Sequence, residues 1–178
     1  MQVALISVLV MTGFFAGLNR EKLKAQLVKH EGKKNHVYKD TEGHPTIGVG
    51  FNLDRSGAKA KVEALGLDYA KVKAGTQDLT DSQVYQLLEG DMDTAIADSK
   101  SVFPKFTDLS DVRQRVIVDM MFNLGKSKFS GFKKMIDAVK AGDFAKAADE
   151  MKDSAWYRQV GQRGKTLEKM MRTDMDPP

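Results

Sequence analysis

Two carboxylates and a hydroxyl fall within one short stretch, His30 to Leu53, HEGKKNHVYKDTEGHPTIGVGFNL: Glu31, Asp40 and Thr46. Glycoside hydrolysis needs one carboxylic acid to protonate the leaving oxygen and one carboxylate across the sugar to stabilise positive charge or activate water. Taken by spacing alone, the same residues would also suit a solvated helix end followed by an ordinary turn aspartate. A metal site is the other chemistry to weigh, because His30, His36 and His44 surround the carboxylates. Their spacing matches no zinc signature, and neither a metal nor a cofactor is expected.

The elements that position these groups can be read from their neighbours. Leu23, Leu27 and Val28 recur at helical spacing, and Gly32 stands where a helix normally stops, so Glu31 is expected to close a helix. A carboxyl at that end faces the negative pole of the helix dipole, which favours the protonated form of an acid. Val37 and Tyr38 lead into a turn at Asp40-Thr41-Glu42-Gly43, and Thr46, Ile47 and Val49 lead out of it, the pattern of a two-stranded hairpin. Asp40, on a polar turn, is expected to stay ionised, so the two carboxyls have environments suited to opposite roles.

Glu31-Gly32, then Tyr38-Lys39-Asp40-Thr41-Glu42-Gly43, then Thr46-Ile47-Gly48-Val49-Gly50 resembles the active-site stretch of the phage-type lysozymes. Phe122-Asn123-Leu124-Gly125, Gly131-Phe132, Trp156-Tyr157 and Arg163 follow in order and resemble the C-terminal lobe of that family, so the likeness runs from near Leu23 to Thr173. The resemblance implies hydrolysis of the β-1,4 bond between N-acetylmuramic acid and N-acetylglucosamine, with inversion. Glu31 would be the general acid, Asp40 the second carboxylate, and Thr46 the residue that helps hold the attacking water. Arg163 would reach across the cleft to the glutamate, and Asn52 and Phe122 are candidate substrate-binding residues. It further implies an endolysin for phage-driven host lysis, monomeric, held in the host cytoplasm or at the inner membrane before release and acting on the wall in the periplasm.

Three alternatives stand beside that expectation. A lytic transglycosylase uses a glutamate but no water, and the presence of Asp40 and Thr46 argues against it. A virion- or tail-associated wall-penetrating lysozyme would use the same residues. A non-catalytic wall-binding module would not need to keep all three. Two positions depart from the resemblance: the family often has an acid just before the glutamate and a histidine after the second glycine of Thr-Ile-Gly-x-Gly, where this chain has His30 and Phe51. Both put the local salt-bridge pattern in question.

Composition sets the outer bounds. With 178 residues, 42% hydrophobic and 29% charged, the chain has the make-up of a folded protein with one core or two small lobes. It has no cysteine, which excludes disulfides and thiol chemistry. The net charge is +4, and Arg20, Lys22, Lys24, Lys29, Lys33, Lys34 and Lys39 cluster before and within the active stretch. A basic rim suits an anionic polymer such as peptidoglycan. Nucleic acid would fit the charge equally well, but no helix-turn-helix, zinc-finger or single-strand-binding pattern accompanies it, and no nucleic-acid partner is expected.

The fold expected is α+β and lysozyme-like: an apolar segment at 1–19 and a lysozyme domain at 20–178. Val3 to Leu18 carries no charge and at helical rise spans roughly 24 Å, short of the roughly 30 Å hydrocarbon core. A buried core helix and a weak, releasable anchor with transient inner-membrane association both suit it; a cleaved signal suits it less, for want of a basic residue before it and a small-residue cleavage site. Gly13 and Gly17 have GxxxG spacing. The small lobe, 20–79, holds the hairpin and a helix at Ala58 to Leu65. Thr80-Asp81-Ser82-Gln83 has the form of a capping box and opens a connecting helix, 80–100, with Val84, Leu87, Leu88, Met92 and Ile96 as its apolar stripe. The helical lobe, 101–178, is expected to contain Val112 to Phe122, Phe132 to Val139, Phe144 to Met151 and Thr166 to Arg172, with breaks at Gly125, Gly142 and Gly161. Trp156 reads as core. Asp91, Asp93 and Asp98 lack the glycine of a calcium loop and read as a solvated face.

Overall fold

The computed structural model describes residues 17–178. The anchor, signal and core-helix readings of Val3 to Leu18 therefore lie almost wholly outside the described residues. Among the described residues no helix is long and apolar enough to cross a membrane.

Helix α1, Arg20–Glu31, begins at Asn19, whose side chain accepts from the Lys22 amide, and buries Leu23 and Leu27. Gly32 ends it with a positive φ of 77° and returns its own amide to the Val28 carbonyl, so Glu31 is the last helical residue, as its neighbours indicate. The chain then forms an antiparallel sheet in the order β1 (Lys34–Lys39), β2 (Pro45–Gly48) and β3 (Phe51–Asn52). Tyr38 pairs with Thr46, and Thr46 in turn with Asn52. Every residue of β2 is buried, because the sheet packs through this strand on helix α4, Asp81–Val102.

Between sheet and strut lie α2, Ala58–Glu63, and α3, Tyr69–Ala74. The sequence reading included the first and missed the second. At six residues α3 is too short to show a periodic stripe; its caps define it, Asp68 accepting from the Lys71 amide and Gly75 closing it in a left-handed conformation. The Tyr69 hydroxyl donates to the Leu53 carbonyl at 2.6 Å and ties this turn to the end of the hairpin.

Helix α4 has the expected capping box with both reciprocal bonds present, Thr80 Oγ1 accepting from the Gln83 amide and Gln83 from the Thr80 amide, a cap worth about 1 kcal/mol. It runs two residues beyond the expected end and spans about 33 Å. One face meets the sheet and another meets α5, Asp111–Phe129, which is interrupted at Gly125 by a non-helical φ of 72°. The lobe is completed by α6 (Lys133–Lys140), α7 (Phe144–Lys152), α8 (Ala155–Val160) and α9 (Gln162–Thr173). α8, capped by Ser154, was not anticipated.

A continuous core runs from Leu23 and Ile47 through α4 to the helical lobe. Phe103, Phe129, Phe132 and Trp156 form a chain of aromatic contacts with centroids 6.1–6.4 Å apart. Around them Met92, Met120, Met121, Met135, Met151, Met170 and Met171 are all buried, whereas Met175 is exposed. The solvated-face reading of the α4 aspartates is corrected at one position: the Asp91 carboxyl is tucked in and pairs with Arg55, with Lys61 at 3.5 Å. Arg55 also stacks on Phe51, 4.0 Å from the ring centroid. The ring at the position where the family often has a histidine is thus covered by a guanidinium that is itself paired with a carboxylate.

Candidate active site

Glu31 leaves the end of α1 with its side chain only one-fifth exposed. Its two oxygens have different surroundings. Oε1 accepts from Arg163 Nη1 at 2.6 Å. Oε2 lies against the backbone of Gly50, close enough that a Cβ there would sit 2.9 Å from it. Gly50 also has a φ of +67°. Glycine is therefore required here twice over, by the backbone conformation and by the close approach of the carboxyl.

Asp40 opens the hairpin turn. Its amide donates to the His44 carbonyl at 3.0 Å, and its Oδ1 accepts from the amides of His44 at 2.8 Å and Glu42 at 2.9 Å. The His44 amide, followed by that of Glu42 and the nearby His44 ring, holds the Asp40 carboxyl below the usual carboxylate range despite some desolvation. Asp40 is thus an anion fixed by the turn that the sequence shows. Thr46, on β2, is buried, and its hydroxyl donates to the His44 carbonyl at 3.1 Å.

Tyr38 connects these groups. It stands two residues before Asp40 and pairs across the sheet with Thr46. Its phenol is pushed up first by burial and then by the negative fields of both Glu31 and Asp40. The ring thus lies within electrostatic reach of both carboxyls, and Thr46 is its partner across the sheet.

Arg163, on α9, is buried and reaches Glu31 at the C-terminal end of α1. Behind it stands a residue that the sequence reading missed. Asp119, on α5, is fully buried and accepts from Arg163 Nε at 2.8 Å through Oδ1, with Nη2 at 2.8 Å from the same oxygen. Its Oδ2 accepts from Gln26 Nε2 at 2.7 Å and meets His30 Nδ1 at 2.8 Å. Burial pushes the Asp119 carboxyl up, but the His30 hydrogen bond and the Arg163 charge outweigh it and hold the group below its ordinary value. An acid is therefore present beside Arg163 although position 30 is a histidine. A signal for it did exist: Asp119 is the one charge in Val116-Ile117-Val118-Asp119-Met120-Met121, and a lone carboxylate inside an apolar helical run has to be paired when it is buried.

Of the two expected substrate-binding residues, Asn52 accepts through its side-chain oxygen from the Asp54 amide at 2.7 Å. Phe122 lines a cavity of about 200 Å³ together with Gly50, Arg55, Lys61 and Asp91, so it lies on the same opening as the Gly50 backbone that backs Glu31. A larger cavity of about 520 Å³, lined by Phe103, Leu109, Val139 and Phe144 among others, shares no lining residue with it. The three histidines go to separate acids, His30 to Asp119, His36 to Asp78 and His44 to Glu42. Among the described residues no cluster of histidine and acidic side chains is arranged to hold a metal ion. The basic rim is much reduced by pairing: Arg20 meets Glu89 and Asp93, Lys22 meets Asp176, Lys24 meets Glu89, and Lys33 meets Asp81, all within 3.0 Å.

The sequence profile of the family described as phage lysozyme matches residues 28–173. The chain is 32% identical over 151 residues to a probable T4-type lysozyme 2 of Dictyostelium discoideum, covering 79% of this chain and 88% of that protein. It is 30% identical over 141 residues to the pre-baseplate central spike protein Gp5 of Enterobacteria phage T4, covering 75% of this chain and 24% of that one. It is also 30% identical over 118 residues to the peptidoglycan hydrolase gp36 of Enterobacteria phage SP6, covering 66% of this chain and 12% of that one. An α+β molecule with a small three-stranded sheet, a long strut and a helical lobe is a lysozyme-like hydrolase. The chain belongs to the phage lysozyme family, and its substrate is the peptidoglycan of the bacterial cell wall.

Proposed function

We propose that the enzyme cleaves the β-1,4 bond between N-acetylmuramic acid and N-acetylglucosamine, with Glu31 as general acid, Asp40 as the stabilising carboxylate and Thr46 as its partner in holding water. The observation that carries this reading is the unequal treatment of the Glu31 oxygens. Arg163 Nη1–H points at Oε1, so a proton on the carboxyl belongs on Oε2, the oxygen beside Gly50 and the opening lined by Phe122. That oxygen delivers the proton to the leaving glycosidic oxygen.

The Asp40 anion then faces the developing oxocarbenium charge. Because the Thr46 hydroxyl spends its hydrogen on the His44 carbonyl, its oxygen is left to accept from water. Water held between Asp40 and Thr46 attacks from the face opposite Glu31, and the expected outcome is inversion. Asn52 and Phe122 contact the glycan, the former through its amide nitrogen and the latter as an apolar wall. The division of labour follows the lobes, with 20–79 supplying the reacting groups, 80–100 setting cleft width and 101–178 closing the cleft.

The biological reading is an endolysin, monomeric, that waits in the host cytoplasm or at the inner membrane and acts in the periplasm, with residues 1–19 as a weak anchor. Likeness to the Gp5 spike protein favours one second reading, a virion-associated lysozyme; mass spectrometry of purified particles separates the two, since only the second is found in them. The catalytic reading is tested by clearing of outer-membrane-permeabilised cells. Glu31→Gln is expected to lower lysis by about three orders of magnitude with its circular dichroism unchanged, and near-normal lysis by the folded variant would refute the assignment.

A further inference from the structure

The guanidinium of Arg163 serves two carboxylates at once. Asp119 engages its Nε and Nη2, and Glu31 receives only Nη1. Asp119 is fully buried and its second oxygen is taken by Gln26 and His30 from α1, so it has no water to share its charge with. Because an ionised carboxylate is acceptor-only, the His30 ring donates through Nδ1. Beyond Gln26, Arg115 is bonded to the Gln26 oxygen and paired with Asp111 and Asp176. On the other side, Glu31 is bonded to Arg163, and its charge and that of Asp40 both reach the Tyr38 phenol.

Counting charge over the three linked groups gives the consequence. With Asp119 ionised and Arg163 cationic, the trio is neutral when Glu31 carries a proton and negative when it does not. Without the Asp119 charge, the trio would be neutral with Glu31 ionised and positive with it protonated, and a lone guanidinium at hydrogen-bond distance favours the ionised form. We propose that Asp119 is a positioning residue for the general acid: it fixes the plane of Arg163 so that one nitrogen reaches Glu31, and its charge offsets that of Arg163 so that Glu31 can hold the proton it must donate. This rests on the reading of Glu31 as the acid.

Asp119→Asn keeps the side-chain volume and removes the charge. In the full chain, acting on a soluble peptidoglycan oligomer, it is expected to lower kcat about tenfold with KM within about twofold, and to move the alkaline limb of the pH–activity profile to lower pH by roughly one unit. Carbon NMR of the carboxyl groups reads the coupling without turnover: the Glu31 signal in Asp119→Asn should titrate at lower pH than in the parent. An unmoved Glu31 titration in folded Asp119→Asn overturns the proposal. Should that variant fail to fold, the parent decides: Asp119 must stay ionised across the range of activity, and an Asp119 signal that titrates within it overturns the proposal equally. Normal lysis by Glu31→Gln would remove the catalytic reading while leaving the measured coupling intact, so the two failures are distinct.

Discussion

Arg163 Nη1 donates to Glu31 Oε1 at 2.6 Å across 132 residues of chain, joining the last helix to the end of the first. This bond ties helices far apart in sequence at the carboxyl proposed as the acid, so structural and catalytic demands meet in one side chain.

Removing Arg163 should therefore be felt in both respects. Taking away one partner of a buried pair costs about 3–5 kcal/mol, because the remaining charge stays buried without compensation. Glu31 can turn to solvent but Asp119 cannot. We expect Arg163→Met to lose about 3 kcal/mol, which is roughly 10 °C in Tm for a chain of this size, together with most of its lytic activity. An unchanged melting temperature would show that the bond between α9 and α1 does not form in solution.

Gly50→Ala tests the close approach of Glu31. The substitution places a Cβ 2.9 Å from Oε2 at a φ of +67°, where an L side chain costs about 1–2 kcal/mol. The carboxyl must swing away, so turnover should fall roughly tenfold or more while stability falls by only about 1–2 kcal/mol. Full activity in Gly50→Ala would mean that Oε2 is not the proton-bearing oxygen.

The hairpin residues should rank in a definite order. Asp40→Asn removes the anion opposite the developing positive charge and is expected to reduce lysis by roughly 100-fold or more. Thr46→Val keeps the volume and removes only one acceptor for water, so a loss of roughly tenfold is expected. Measured initial rates in the reverse order would assign the water to other groups.

Asp119 also predicts a pH dependence of stability. Its carboxyl is held below the ordinary value in the folded protein, so its contribution is fully present above the unfolded value of about 4 and is lost as pH falls through the lower folded value. Asp119→Asn lacks this component. The gap in Tm between parent and variant should be widest near neutrality and should narrow on acidification below about pH 4. A gap independent of pH would show that the loss is one of packing.

Much of this architecture was legible because its signals are local. The hairpin follows from a polar Asp-Thr-Glu-Gly turn between apolar runs, the strut from a capping box, and the end of α1 from Gly32. Glu31, Asp40 and Thr46 each sit on one of those local elements, which is why their backbone settings could be read. Apart from Arg163 to Glu31, which the family resemblance supplied, pairings over long separations were not legible. Asp91 looked solvated because nothing near it in sequence announces Arg55, and the cluster of lysines and Arg20 looked like an open rim because its acids come from α4 and the C-terminal tail. Asp119 is the sharpest case, since its partners lie 44 to 93 residues away.

The methionines packed through α4 and the helical lobe have a chemical consequence of their own. A thioether is flexible enough to fill irregular gaps, and its oxidation to the sulfoxide turns an apolar filler into a polar one that such a core cannot accommodate. Met120, Met151 and Met171 are fully shielded, while Met175 stands in solvent. Peroxide reaches Met175 directly but reaches the others only when the lobe opens. The sulfur atoms of this enzyme thus keep a record of its breathing, with an exposed residue as the zero of the clock, and an oxidising environment converts transient opening into a lesion that lasts until the sulfoxide is reduced.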